Sequence, residues 1–147
     1  MHVIRDGRDV AVSLAGVGWG PEDAAAAAKL WSRRIRIARR QSARLPPGTY
    51  TEVRYEDLVS DSSEALERLC GLLELPFSEE MLSYWERGSR VLESMAAERR
   101  RQHAGVTRSP TPERIGRWRR DLADDERRTF EGIAGETLAE LGYEVDA

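Results

Sequence analysis

Cysteine is nearly absent from this chain. Cys70 is the only one, so no disulfide can close within the molecule. Histidine occurs twice, at His2 and His103. One thiol and two imidazoles supply no metal-ligand set, so none is expected. Lysine occurs once, at Lys29, and every other basic residue is arginine. No apolar run approaches the roughly 20 residues that span a bilayer. No N-terminal signal peptide is visible. The expectation is a cytoplasmic protein with no membrane partner. Net charge is −3, so no overall bias draws the chain to nucleic acid. A charged fraction of 33% and a hydrophobic fraction of 40% over 147 residues are ordinary for a globular protein and allow one domain with a usable core.

What is present begins with the first fourteen residues. His2-Val3-Ile4 reads as the end of a short buried strand. Asp6-Gly7 is a turn signal, and Asp9 can cap a helix beginning at Val10. A strand, a tight turn and a helix start aim free backbone N–H groups at one spot. Arg5 sits at the strand end beside that spot. Ser13, one turn into the helix, offers a hydroxyl. An arginine fork, a hydroxyl and a helix start together suit a phosphate. The competing reading is a turn in which Arg5 pairs with Asp6 or Asp9.

Further along, the first helix is expected from about Val10 to Val17. Gly20-Pro21-Glu22-Asp23 starts a second that runs to about Ala43. Leu30, Trp31, Ile35, Ile37 and Ala38 supply its apolar side, and its arginines read as a solvated face. Leu45-Pro46-Pro47-Gly48 breaks it. Tyr50–Tyr55 is rich in β-formers and reads as a strand. A strand, a helical crossover and a second strand favour a parallel unit. Asp61-Ser62 opens a helix carrying Leu66, Leu69, Cys70, Leu72 and Leu73. Ser78-Glu79-Glu80 opens another. Residues 99–112 read as a mobile basic loop. Glu113 to about Leu122 is a short helix with Gly116-Arg117-Trp118. A last helix carries Phe130, Ile133, Leu138 and Leu141 on one side and stops at Gly142.

Arg5-Asp6-Gly7-Arg8-Asp9-Val10-Ala11-Val12-Ser13 closely resembles the 3′-phosphate-binding segment of the sulfotransferase family. Those enzymes move a sulfuryl group from 3′-phosphoadenosine 5′-phosphosulfate (PAPS) to an acceptor hydroxyl or amine. The resemblance implies that Arg5 and Ser13 hold the 3′-phosphate. Val53-Arg54-Tyr55-Glu56-Asp57-Leu58 resembles the family's second strand signature, which makes Tyr55 the candidate adenine contact. Glu64–Phe77 resembles its following helix and apolar-Pro-Phe stop. Ile115-Gly116-Arg117-Trp118-Arg119 resembles its late Gly-X-Trp motif. The basic triplet that usually precedes that motif is not reproduced, and Arg108 or Ser109 stands nearest to it. The family's Pro-Lys-Ser-Gly-Thr-Thr phosphosulfate loop is absent, and neither His2 nor His103 stands where its general base would.

The resemblance implies an α/β fold: a helix-rich remnant of a P-loop-like sulfotransferase with a small parallel sheet, one partial domain over residues 1–147. The implied function is binding of the 3′-phosphoadenosine part of PAPS, or of its product 3′,5′-adenosine bisphosphate, at Arg5, Ser13, Tyr55 and Arg108. No catalytic residue is assigned, and the chain alone is expected to be inactive. The alternative is a non-catalytic module that binds a 3′-phosphorylated nucleotide or complements another chain. A basic-loop nucleic-acid protein is the third reading, and nucleic acid is not the expected partner. The strand at Val3-Ile4 would present an unpaired apolar edge, which invites self-association.

Overall fold

The computed structural model of the chain describes residues 1–15, 17–93 and 107–145. The chain divides into two compact units. The first comprises Met1–Tyr55 and Glu113–Ala147, the second Glu56–Pro112.

The first unit opens with strand β1 (His2–Ile4), which pairs in parallel with β2 (Glu52–Arg54). His2 faces Glu52, Val3 faces Val53 and Ile4 faces Arg54. The connection carries helices α1 (Gly7–Ala15) and α2 (Ala24–Ser42). Asp23 caps α2 by accepting the Ala26 N–H at 2.7 Å, and a run of five alanines then propagates it. Pro21 therefore lies ahead of the cap and not in the first turn. The short strands fit their sequence: Ile4 and Val53 are the buried pleats, 2% exposed each. Tyr50 and Thr51 stand outside β2, and Tyr55 begins a helix, α3 (Tyr55–Ser60). The expected six-residue strand is thus only three residues long.

The second unit holds most of α3, then α4 (Ser62–Leu72), a 3-10 helix at Glu79–Ser83, and α5 (Tyr84–Glu93). Asp61 caps α4 through the Glu64 N–H at 3.0 Å. Ala65, Leu69 and Cys70 are buried, and the Cys70 sulfur lies 3.8 Å from that of Met81. Leu72 and Leu73, expected on the buried side, are more than half exposed. Of the predicted basic loop, residues 99–106 lie outside the described part. Arg108 lies in a bend and residues 109–111 have no regular secondary structure, ahead of a 3-10 helix at Pro112–Arg114.

Back in the first unit, α6 (Trp118–Asp121) and α7 (Asp124–Glu140) complete the fold. The helix expected from Glu113 is interrupted by a turn in which Gly116 takes φ +67°, a region that favours glycine. On α7 the buried stripe is Phe130, Ala134 and Leu138, each 0% exposed. Their spacing of four keeps them on one side. Ile133 falls outside that arc and is exposed. On α2 the core side is Ala27, Ala28, Trp31 and Ile35, while Leu30 and Ala38 are half-buried and Ile37 is exposed. These residues with Ile4, Ala11 and Tyr143 make one core.

The opening of α1 is wedged into that core. A β-carbon on Gly7 would come within 2.5 Å of the Trp31 ring and 2.8 Å of the Phe130 ring. The two rings lie 6.1 Å apart, tilted by 50°, in the favourable range for aromatic pairs. Gly7 is therefore needed for close approach, not for an unusual backbone angle.

A polar network spans the other end of the sheet. Arg39 donates to both carboxylate oxygens of Glu52 at 2.9 and 2.8 Å. Tyr50 gives its only proton to Glu52 at 2.8 Å, so the His2 Nδ1–H at 2.9 Å is the donor to the phenol oxygen. Burial, then the bond to Glu52, pushes the Tyr50 hydroxyl up to about 12.

Two outcomes follow. Gly7→Ala should cost about 1–3 kcal/mol through overpacking. Gly132→Ala, in an open stretch of α7, should instead stabilise by about 0.5–1 kcal/mol; paired thermal melts compare them. In alkali, the neutral Tyr50 phenol contributes stability that is fully present below pH ~10 and lost as pH rises through about 12. Ultraviolet titration of wild type and Tyr50→Phe should assign the late phenol to this residue. A titration unchanged by the substitution would refute that assignment.

Candidate nucleotide-binding site

Ile4 and Arg54 end the two parallel strands in register, so Arg5 and Tyr55 leave the sheet side by side at its carboxyl end. That is where ligands settle in open α/β sheets. The Arg5 guanidinium lies over the Tyr55 ring, 4.6 Å from its centre. Its Nη2 donates to the Arg114 carbonyl and stands 3.4 Å from Asp9 Oδ2. The Nε is buried, with no hydrogen-bond partner among the described residues. The Arg5 carbonyl accepts the Trp31 indole N–H at 3.1 Å, which pins the strand end to α2.

Helix α1 begins at Gly7, three residues before the expected start. The cap is accordingly Asp6, whose Oδ1 accepts the Arg8 N–H at 2.9 Å. Asp9 lies inside the helix and caps nothing there. Asp6, Gly7, Arg8 and Asp9 are all buried. The helix start is therefore filled by a carboxylate of the chain itself and is not an open anion site, which corrects the reading in which its N–H groups were available.

Asp9 works at longer range. It is 0% exposed. One oxygen accepts the Gly116 N–H at 2.8 Å, the other the Trp118 N–H at 3.0 Å. A single side chain thus ties the Gly-Arg-Trp segment to α1 across more than a hundred residues. Arg8 does the same for α7. Its guanidinium, 2% exposed, meets Asp6 at 3.1 and 2.8 Å and Glu131 at 2.5 Å, and stacks on the Trp118 ring at 3.7 Å. Burial disfavours the Arg8 charge, but Asp6 and then Glu131 outweigh it and hold the proton more firmly than usual.

Ser13 is exposed, nearly two turns into α1 rather than one. Asp9 lies midway between Arg5 and Ser13 in sequence. A spacing of four returns to the same side of a helix, so Ser13 stands one turn beyond the carboxylate that Arg5 approaches. Arg5 and Tyr55 are in contact, and Ser13 stands further along α1 in the same unit. Arg108 is exposed in a bend of the second unit. His2 is half-buried in β1 and bonded to Tyr50, and His103 lies outside the described residues.

The pairing of Arg8 with Glu131 joins residues that lie far apart in the sequence. One signal pointed to it: Glu131 sits among Phe130, Ala134 and Leu138 on the apolar side of α7, where a carboxylate needs a buried cation. Replacing Asp9 by alanine should orphan two backbone N–H groups and release Arg5. We expect a loss of about 3–5 kcal/mol, read by denaturant unfolding. A loss below about 1 kcal/mol would show that these bonds are replaceable by water.

The sequence pattern of the sulfotransferase family matches residues 1–79. Among solved structures, the sulfotransferase domain from the curacin biosynthetic pathway superposes with a TM-score of 0.56 at 20% identity. The match covers 98% of this chain and 53% of that one, so this chain spans about half the length of the solved domain. No curated protein matches. With the family's pattern over its first 79 residues and that α/β fold over nearly its whole length, the chain belongs to the sulfotransferase family.

Proposed function

We propose that the chain holds the 3′-phosphoadenosine part of PAPS, with Arg5 and Ser13 on the 3′-phosphate and Tyr55 beside the adenine. The observation that carries this is the placement of Arg5 and Tyr55 together at the carboxyl ends of the parallel strands; Ser13 is offered by its exposed place on α1. The donor set fits an anion. The Arg5 side chain is 18% exposed at the strand ends. The carboxylate nearest to it spends both oxygens on backbone N–H groups, which weakens its claim on the arginine. Arg108 is a further candidate phosphate ligand, on sequence grounds alone.

PAPS, when bound, supplies the sulfuryl group that a sulfotransferase passes to an acceptor hydroxyl or amine. The contribution proposed for this chain is to bind and orient the nucleotide end of that molecule. A second reading is a non-catalytic module that binds a 3′-phosphorylated nucleotide or complements another chain. It is favoured by the absence from these 147 residues of a Pro-Lys-Ser-Gly-Thr-Thr type loop. The sole lysine, Lys29, lies within α2. Labelled PAPS offered to the chain with a panel of phenols and sugars should give no transfer. Turnover above a heat-killed control would exclude the second reading.

The nucleotide reading is tested by calorimetry. 3′,5′-Adenosine bisphosphate should bind better than AMP, which lacks the 3′-phosphate. Arg5→Ala should weaken the bisphosphate by about ten- to a hundredfold, since hydrogen bonds to a charged partner contribute about 1.5–3 kcal/mol each. Ser13→Ala should cost less, because one donor is lost from an exposed position. AMP should change little in either variant, with circular dichroism confirming that both fold. Equal wild-type affinity for the two nucleotides would leave Arg5 as a purely structural partner of Asp9.

A further inference from the structure

We infer that the outer face of α2 is an interface for a second copy of this chain, seated on the acidic surface that α3 and α4 present. Helix α2 carries six cations and no acid. Lys29, Arg33, Arg36 and Arg40 recur at spacings of four, three and four, a stripe about 16 Å long. It lies opposite Ala28, Trp31 and Ile35, and all four side chains are exposed. No carboxylate among the described residues pairs with any of them. Like charges at these spacings destabilise a helix, so the stripe costs stability with no offset inside the described chain.

The complement is present in the same molecule. Between residues 56 and 80 the sequence has eight acids and one arginine. Asp57, Asp61, Glu64, Glu67 and Glu74 are exposed and unmatched by any cation among the described residues. Each surface also shows apolar area: Ile37 is 40% exposed on α2, and Leu72, Leu73 and Leu75 are 58%, 51% and 56% exposed at the end of α4. The net charge of −3 disfavours a long polyanion, which would meet the acidic surface as well as the basic one. A second copy instead presents an acidic surface to the basic stripe, and complementary patches steer such an encounter. The contact joins unlike surfaces and does not use the edge of β1.

Sedimentation of the full chain tests this with two charge-reversed variants. One carries Arg33→Glu, Arg36→Glu and Arg40→Glu; the other carries Asp57→Arg, Glu64→Arg and Glu67→Arg. All six positions are exposed, and circular dichroism checks the fold. Wild type should self-associate at ~0.05 M salt and dissociate toward monomer at ~0.5 M, where screening is short-ranged. Each variant alone should associate at least about tenfold more weakly. A one-to-one mixture of the two should recover the wild-type association, since each supplies the complement of the other. A wild type that stays monomeric at low salt overturns the proposal, as does association equal in all three proteins. So does binding of a single-stranded RNA oligonucleotide that is lost in the arginine variant, which gives the stripe to nucleic acid. If each variant lowers the melting temperature of a monomer and all six changes in one chain restore it, the two surfaces pair within one molecule and the proposal fails.

Discussion

The buried guanidinium of Arg8 is the contact on which the first unit depends. An arginine taken out of water is costly unless carboxylates, hydrogen bonds and packing all meet it. Here Asp6 meets it from its own turn, Glu131 from the last helix, and the Trp118 ring from the late Gly-Arg-Trp segment. Removing Arg8 would leave two buried carboxylates without this cation, and removing either carboxylate would strand buried guanidinium N–H donors. Asp9 repeats the logic with the sign reversed. Its carboxylate is satisfied by two backbone N–H groups and approached by Arg5. Two adjacent residues thus bind two distant segments to one helix.

This arrangement divides the labour within Arg5-Asp6-Gly7-Arg8-Asp9. Asp6, Arg8 and Asp9 are committed to holding the fold, and Gly7 gives the rings of Trp31 and Phe130 room. Arg5 alone is left partly exposed, braced by Tyr55 beneath and Asp9 beside it. A nucleotide-binding arginine has to be aimed before its ligand arrives, and a stacked, hydrogen-bonded side chain loses less entropy on binding than a free one. The motif therefore reads as a scaffold with one functional projection. The charges that look redundant in sequence set the position of the one that is not.

Much of this was legible in advance. The parallel strands and the helix starts near Asp23 and Asp61 followed from local chemistry that tertiary packing did not override. The juxtaposition of Arg5 with Tyr55 rests on the register, which places the residues after the two paired strands together. What could not be read was long-range. Asp9 was a plausible cap by spacing, and only the distant N–H groups of Gly116 and Trp118 decide its role. Ile37 and Ile133 are apolar, and apolarity alone assigns them to the core. The helical angle shows that Trp31 and Phe130 define the buried arc and leave both isoleucines outside it. Tyr55 has the composition of a strand residue yet starts a helix, since propensity at a strand end yields to the neighbours that pack there.

The first unit is assembled from the two ends of the chain, with the second unit inserted between them. This has a consequence for the order of events during synthesis. The stretch that carries the family's pattern, residues 1–79, leaves the ribosome with its helix start facing no Phe130 and its Arg8 facing no Glu131. Closing that core means joining residues more than a hundred positions apart, and such contacts bring loop-closure entropy and slow folding. Until α7 emerges, Trp31 lacks the Phe130 ring and Arg8 lacks Glu131, so this core closes only after the last helix has been made.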